Sequence, residues 1–291
     1  MTVKCNQCPR QCNALRTATE NIGGFCRMPA NPKIARADLH FWEEPCISGK
    51  NGSGTIFFSG CSLKCVYCQN YEISHKTKGK IITDKRLAEL FYELEQKGAH
   101  NINFVNPTHY YDSIKKALEI YKPNIPLVYN SSGYDLSDKI DENLFDIYLF
   151  DLKYISCDNS LKYSGAADYF NFAAASIKTA CKNIPEPIFD RDWMLKKGVI
   201  VRHLILPSAT KEAIKVIDWF CDNTPNAILS LMSQYIPMGE ADKYPEINRK
   251  ITPREYNKVI DYAADKDIKH IYTQQMSSAK EEYIPNFNFG G

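Results

Sequence analysis

The pattern of apolar and polar positions changes period repeatedly along the chain from residue 54 onward. Short apolar runs that are rich in β-branched and aromatic residues are typical of buried strands. These runs lie at 54–59, 101–105, 126–129, 147–150, 199–206, 227–232 and 270–273. Between them, apolar residues recur every three or four positions, which indicates helices with one buried face. Strands that alternate with helices in this way predict a parallel sheet covered by helices.

Capping residues mark several of the helix boundaries. Thr83 precedes an amphipathic helix, and Gly98 follows it. Thr252-Pro-Arg-Glu255 has the pattern of a capping box with proline at the first helical position. The segment 163–182 is predicted to be one helix, and 184–197, with two prolines and mixed charge, an inserted loop.

The first 53 residues differ from the rest of the chain. They are rich in Cys, Asn, Pro and Gly and lack a sustained period, so something other than an apolar core must hold them together. We therefore predict two units, a cysteine-rich metal-binding module at 1–53 and a strand-helix domain at 54–291.

Three cysteines follow the first predicted strand directly. Cys61, Cys65 and Cys68 are separated by three and then two residues, and Gly60 allows the chain to turn into their loop. Three thiolates are too few for a closed zinc site, whereas a 4Fe-4S cluster held by three cysteines keeps one iron open. The alternatives are a zinc knuckle with a distant fourth ligand, or cysteines without a shared metal.

This spacing, with Tyr67 before the third cysteine, resembles the signature of the radical S-adenosylmethionine (radical SAM) enzymes. The following Gln69-Asn70 resembles the branch around pyruvate formate-lyase activating enzyme. The resemblance implies an α/β fold, a partial (β/α)6 open barrel with its site at the carboxyl ends of the strands. It also implies that Cys61, Cys65 and Cys68 hold a 4Fe-4S cluster whose open iron binds S-adenosylmethionine (SAM).

The resemblance assigns further residues to SAM at the first two strand ends. It implies that the backbone of Tyr67 contacts the adenine. After the second strand, 104–107 stands where activating enzymes have Gly-Gly-Glu-Pro, a turn that receives the ammonium group of SAM. Asn106 and Thr108 are therefore expected to bind that group, although the glycines and the carboxylate of the family are missing.

Later strand ends carry the remaining expected contacts. Asp151 and Lys153 resemble the Asp-x-Lys pair, in which the lysine meets the carboxylate of SAM and the aspartate lies at a monovalent-cation site. Asn130 and Ser131 stand where the family has Asp-Thr, so they are expected to contact the ribose, and cation binding would be weakened. Arg202 resembles the arginine of an Arg-Tyr pair. An ordinary exposed ion pair is the alternative for Asp151 and Lys153.

A second group of cysteines lies in the N-terminal module. Cys5, Cys8, Cys12 and Cys26 offer four thiolates, the ligand count of a structural zinc site or of a second iron-sulfur cluster. The spacing lacks the second x2 pair of a zinc ribbon. Free thiols are the alternative to a bound metal.

Composition narrows the possible partners and location. The formal net charge is +2, from 36 basic and 34 acidic residues without a block of one sign, so no nucleic acid or anionic membrane is expected as a partner. No apolar run reaches the roughly 18 residues of a membrane span. Eleven cysteines, an odd number, fit metal binding in a reducing compartment better than a disulfide framework, so we expect a cytoplasmic protein.

The resemblance thus implies an enzyme that cleaves SAM to a 5′-deoxyadenosyl radical, with flavodoxin or ferredoxin as the reductant. A protein substrate such as a glycyl radical enzyme is expected, because an open barrel is poorly shaped to enclose a small molecule. Two alternatives remain open: a radical SAM enzyme that acts on a small molecule, and a non-catalytic iron-sulfur or zinc protein that serves as an electron carrier or binding module.

Overall fold

Seven parallel strands form the centre of the structure, a computed structural model that describes residues 2–274 and residue 287. The strands are β1 (Val3–Lys4), β2 (Leu15–Arg16), β3 (Asn21–Ile22), β4 (Lys33–His40), β5 (Ser53–Phe58), β6 (Lys80–Ile81), β7 (Ile102–Val105), β8 (Leu127–Ser131), β9 (Ile147–Asp151), β10 (Ile188–Phe189), β11 (Leu195–Leu204), β12 (Ile228–Met232) and β13 (Ile271–Thr273). The helices are α1 (Pro45–Ser48), α2 (Tyr71–Ser74), α3 (Asp84–Gln96), α4 (Tyr111–Ile120), α5 (Cys157–Ser164), α6 (Tyr169–Asn183), α7 (Thr210–Asn223) and α8 (Pro253–Ala264).

The order of strands in the main sheet is β13-β12-β11-β9-β8-β7-β5-β4-β6. Strands β5 to β13 along this path are parallel, and β4 and β6 extend one edge in antiparallel pairing. Because β13 and β6 end the path, the sheet is open within the part of the chain that the structure describes. The predicted α/β fold with a mostly parallel sheet is confirmed, and β13 adds a seventh parallel strand to the six that the resemblance implied.

Two predicted segments differ from the structure. Most of the helix expected at 163–182 is α6, which begins at Tyr169, whereas residues 163 and 164 end the separate helix α5, which Gly165 terminates in a left-handed conformation (φ 62°). The loop expected at 184–197 contains β10, which pairs with the first residues of β11 as an antiparallel hairpin. This pairing extends β11 to Leu195, four residues before its predicted start at 199.

The N-terminal 53 residues contribute to two sheets. Strands β1, β2 and β3 form a small antiparallel sheet of their own. Strand β4 instead pairs with β5 over six residues and belongs to the main sheet. The expected boundary at residue 53 therefore does not coincide with the edge of the main sheet, which begins at Lys33.

The two faces of the parallel sheet are covered differently. Side chains alternate along a strand, so Tyr129, Tyr148 and Val201 face the helices, where they join the large apolar core. The opposite face, called the inner face below, meets α1. Cys46 and Ile47 of α1 pack there against apolar residues of β8, β9, β11 and β12, namely Val128, Ile147, Leu149, Leu195, Ile200 and Ile228. Helix α1 thus fills the inner face at the amino ends of these strands.

The same alternation fixes which side chains share the inner face with α1. Asn130 is two residues beyond Val128, Asp151 is two beyond Leu149, and Arg202 is two beyond Ile200. The apolar side chains under α1 therefore hold three polar side chains at the carboxyl ends of adjacent strands. Among the described residues, no helix has the length and apolar character needed to cross a membrane.

Candidate functional site

A cavity of about 220 Å³ opens on the inner face at the carboxyl ends of the parallel strands. One wall carries the thiols of Cys61, Cys65 and Cys68. A charged group also lines the cavity, and aromatic and aliphatic side chains line much of the rest. The polar lining residues from the strand ends are Asn106, Asn130, Ser131, Asp151, Lys153 and Arg202.

The loop that carries the three cysteines is fixed by its first residue. Gly60 has a φ of 79°, and a side chain there would meet Met28 and lie 3.1 Å from the carbonyl oxygen of Cys26. A glycine at this position lets the chain leave β5 and turn sharply toward the cavity. The side-chain amide of Asn106 also donates a hydrogen bond to the carbonyl of Gly60.

Each thiol of this group accepts a hydrogen bond. Ser164 Oγ donates to Cys65 Sγ at 3.0 Å, and Ser74 Oγ donates to Cys68 Sγ at 3.3 Å. The backbone N–H of Leu63 donates to Cys61 Sγ at 3.4 Å. Such donors stabilise thiolates, which are the form of cysteine that binds iron. Burial raises the pKa of Cys68 to about 11, so a cation must displace the thiol proton at neutral pH.

These three thiols suit an iron-sulfur cluster with one open iron better than a closed zinc site, which needs four ligands. In a cluster, each thiolate binds its own iron, so the ligands are spread around the edge of a larger body. Three thiols with a cavity in front of them therefore fit a cluster that has one open iron.

Arg202 is the centre of the charged group. Its Nε donates to Asp151 Oδ1 at 2.8 Å, its Nη1 to Glu43 Oε1 at 2.7 Å, and its Nη2 to Asn130 Oδ1 at 2.9 Å. Only 11% of the Arg202 side chain is exposed. A guanidinium that is desolvated to this degree needs oxygens around it, and this one has three. The neighbouring His203 faces away from the cavity and bonds to the Leu152 carbonyl.

Asp151 also binds the ammonium of Lys153, with an Nζ to Oδ2 distance of 2.7 Å. Burial alone would raise the pKa of Asp151, but the charges of Arg202 and Lys153 hold that pKa below its usual value. Burial would lower the pKa of Lys153, and Asp151 keeps that pKa above its usual value. Both groups are therefore ionised at neutral pH. The Arg202 guanidinium already lies between Asn130 and Asp151, where the resemblance implied a monovalent cation.

Glu43 is a site residue that the sequence analysis missed. It follows β4 and reaches the cavity, where its Oε2 accepts from Asn130 Nδ2 at 2.7 Å and from Asn103 Nδ2 at 3.1 Å. Together with its bond to Arg202, these contacts join three parallel strands to the segment before α1. No periodicity indicated Glu43, because it lies on a loop outside the predicted parallel sheet.

Glu44 is buried beside this group. Its Oε1 accepts a hydrogen bond from Ser230 Oγ at 2.9 Å. Burial raises the pKa of Glu44 to about 7, against the opposing effect of the Arg202 charge, while Glu43 and Asp151 raise it further. Near neutral pH this carboxyl group is therefore divided between its neutral and charged forms.

Three further predicted residues have different surroundings. Tyr67 lines the cavity, and its hydroxyl lies 2.5 Å from that of Tyr154. Ser131 also lines the cavity, where its hydroxyl donates to Asp135. Thr108 is an exception to the expected set. It is buried in a short 3-10 turn after β7 and does not line the cavity, because that turn directs it into the core.

The four N-terminal cysteines form a separate group. Cys5, Cys8 and Cys26 are buried and Cys12 is exposed, and none of them lines the cavity. Electrostatic interactions connect Cys8 with each of the other three, so the four lie near one another.

Comparison with known proteins identifies relatives along most of the chain. The sequence model of the radical SAM superfamily matches residues 55–218. An uncharacterised protein of Methanocaldococcus jannaschii is 31% identical over 282 residues, which cover 92% of this chain and 76% of that protein. A second uncharacterised protein of the same organism is 23% identical over 229 residues, covering 71% of this chain and 61% of the relative.

The fold is also found in a solved structure of known sequence. The crystal structure of SuiB from Streptococcus suis, bound to S-adenosylmethionine, is similar with a TM-score of 0.53 and 13% identity. The similarity covers 77% of this chain and 50% of SuiB, so the chain spans about half the length of that protein. At this identity the likeness concerns the fold alone.

The first prediction concerns Glu43. The Glu43→Ala variant removes the acceptor of three donors, including the Arg202 guanidinium, so we expect a loss of about 2–4 kcal/mol in the free energy of unfolding. Denaturant unfolding monitored by circular dichroism would measure it. Glu240→Ala, which removes an exposed carboxylate paired with Lys243, is the control and should cost under about 1 kcal/mol. Equal losses in the two variants would contradict the proposed importance of Glu43.

The second prediction concerns pH. Because the folded chain holds the Glu44 proton more tightly than the unfolded chain, this group lowers the free energy of unfolding as pH rises from about 4.5 to about 7. Glu44→Gln removes this effect, so the stability of the variant relative to wild type should rise by about 3 kcal/mol between pH 4.5 and pH 8. Denaturant unfolding at the two pH values, with Glu142→Gln as the exposed control, tests this. A difference that is independent of pH would refute it.

Proposed function

The chain belongs to the radical SAM superfamily, and we propose that it reductively cleaves SAM at a 4Fe-4S cluster held by Cys61, Cys65 and Cys68. The family implies both cofactors. The observation that carries the proposal is that the three thiols and the charged group around Arg202 line one cavity. A zwitterionic sulfonium that binds beside a cluster needs metal ligands and fixed charges in one cavity, and this cavity has both.

The chemistry that the bound cluster supplies is one-electron cleavage of SAM to methionine and a 5′-deoxyadenosyl radical. The side chains of the cavity bind and orient SAM. Lys153 carries a positive charge that is only partly engaged by Asp151, so its ammonium is suited to the carboxylate of SAM. Asn106, Asn130 and Ser131 offer neutral polar atoms for the ammonium and ribose groups. The backbone of Tyr67 would meet the adenine.

Apolar side chains protect the radical from water. Phe57, Phe58, Ile73 and Val105 line the cavity near the cysteine loop, and Met232, Ile236 and Met238 line it near β12. A lining of this kind excludes solvent from the reacting atoms and thereby suppresses side reactions. The hydroxyl of Ser164, which also bonds to Tyr154, stays on Cys65 and keeps that sulfur oriented.

We propose that the radical abstracts hydrogen from a protein substrate, as an activase of a glycyl radical enzyme does. The cavity has a volume of about 220 Å³, and both the cluster and SAM must occupy it. SAM would leave little enclosed space for a second small molecule, whereas a polypeptide loop could enter from outside. Trp42, which lines the cavity and is 58% exposed, offers an aromatic contact at the mouth.

A low-potential one-electron donor such as flavodoxin or ferredoxin is the proposed reductant. Cluster potentials reach about −700 mV, and the cleavage of SAM needs the reducing end of that range. None of the eleven cysteines, all of which lie in the described part of the chain, forms a disulfide. This supports a reducing compartment, and we propose the cytoplasm.

The third prediction tests the ligands. Cys61→Ala, Cys65→Ala and Cys68→Ala should each abolish the formation of 5′-deoxyadenosine from SAM and dithionite, because each removes one iron ligand. Anaerobic reconstitution, iron analysis and chromatography of the products would measure this. Cys157→Ala, an exposed cysteine outside both groups, is the control and should keep full activity. Turnover in any of the three ligand variants would show that the assignment is wrong, and no turnover in wild type would favour a non-catalytic iron-sulfur protein.

The fourth prediction tests the substrate. Candidate glycyl radical enzymes labelled with deuterated glycine should transfer deuterium to 5′-deoxyadenosine and gain a glycyl signal in electron paramagnetic resonance. The reaction contains this protein, SAM and reductant, and the Cys65→Ala variant is the control. If neither signal appears while a small metabolite stimulates SAM cleavage, the small-molecule alternative replaces the activase proposal.

A further inference from the structure

The four cysteines near the N-terminus are soft metal ligands that lie within electrostatic range of one another, outside the cavity. The backbone N–H of Cys5 donates to the Ala14 carbonyl at 2.9 Å, next to the β1–β2 pair. Cys8 and Cys26 lie within electrostatic range of each other and of Cys5 and Cys12. Three of the four thiols are buried, so the chain has removed them from water together.

A buried arginine lies against this group without a carboxylate partner. Arg16 is 4% exposed, and no carboxylate is paired with it in the described ranges 2–274 and 287. Its guanidinium donates to the carbonyls of Met28, Pro29 and His109, and to Cys5 Sγ at 3.4 Å. A buried charge without a counter-charge is costly. Among these partners, only the sulfur can become an anion.

Metal binding would supply the missing negative charge. A metal centre displaces the thiol protons and holds the sulfurs as thiolates. Arg16 then faces an anionic group of thiolates. Arg10 lies between Cys8 and Cys12 in the sequence, and its Nη2 is buried without a hydrogen-bond partner.

The N-terminal group lies directly against the loop of the SAM-cleaving site. The carbonyl oxygen of Cys26 is 3.1 Å from the position that a side chain of Gly60 would take. Arg10 Nε donates to the carbonyl of Ser62 at 2.8 Å. The Arg10 guanidinium and the Lys64 ammonium both lie over the ring of Phe25, at 4.1 and 4.9 Å from its centroid. Protein backbone and these side chains thus connect the two cysteine groups.

We propose that Cys5, Cys8, Cys12 and Cys26 hold a second iron-sulfur cluster that passes electrons to the one at Cys61, Cys65 and Cys68. The relay rests on the proposed function of that site, whereas the second metal centre does not. The donor protein loses one electron and the second cluster gains it. The second cluster then reduces the first and is itself reoxidised. The first cluster passes the electron to SAM, whose sulfur-carbon bond breaks. Zinc would satisfy the charge of Arg16 equally but cannot carry an electron.

The metal is tested in the full chain with the Cys61→Ala/Cys65→Ala/Cys68→Ala variant, reconstituted anaerobically with iron and sulfide in the presence of zinc. We expect iron and acid-labile sulfide in equal amounts, and we expect both to be lost when Cys8→Ser/Cys12→Ser is added. Zinc without sulfide, or a folded chain without metal, would overturn the proposal. Thermal unfolding checks each variant, and Cys12→Ser alone serves if the combined variant does not fold, because Cys12 is exposed.

The relay is tested without SAM, so that its failure is separate from a failure of SAM cleavage. Reduced flavodoxin or dithionite is mixed with the oxidised protein in a stopped-flow instrument, and bleaching of the cluster absorbance is followed. For the cluster at Cys61, Cys65 and Cys68, we compare the rate of reduction by flavodoxin with the rate of reduction by dithionite. The ratio of the two rates should be at least tenfold lower in Cys8→Ser/Cys12→Ser than in wild type. It should not change in Cys157→Ser. An unchanged ratio in the first variant would refute the relay.

Discussion

The need to neutralise the Arg202 guanidinium organises the inner face of the sheet. Its three partners, Asp151, Asn130 and Glu43, come from β9, from β8 and from the loop before α1. A planar donor with this geometry fixes the relative positions of the elements that hold its acceptors. The charged group and the packing of α1 are therefore connected, because Glu43 lies two residues before α1, whose Ile47 packs against the inner face of the same sheet.

Much of the fold follows from local pattern. Short apolar runs predicted the parallel strands because residues buried on both faces leave little room for polar positions. The cysteine spacing predicted the loop after β5, and the resemblance indicated Arg202, which lines the cavity. These features depend on residues close in sequence, so the sequence alone was sufficient to find them.

The features that the sequence analysis missed or placed wrongly depend on contacts between residues that are far apart in the sequence. Glu43 and Glu44 enter the site because β4 pairs with β5 in antiparallel register, which no local period reveals. Thr108 was expected beside SAM, but the 3-10 turn after Pro107 buries it. The break between α5 and α6 depends on one glycine, whose left-handed conformation is compatible with several local structures.

The two buried arginines of this chain show how charge and metal binding are connected. Two carboxylates neutralise the charge of Arg202. Arg16 instead donates hydrogen bonds to backbone carbonyls and to one sulfur, which leaves its charge without an anionic partner among the described residues. Arg16 also donates a hydrogen bond to the carbonyl of His109 at 3.0 Å, which links Arg16 directly to the turn after β7. That turn follows Asn106, which holds the cysteine loop at Gly60. An anionic centre at the N-terminal cysteines would therefore stabilise the loop that carries Cys61, Cys65 and Cys68, through contacts that already exist in the chain.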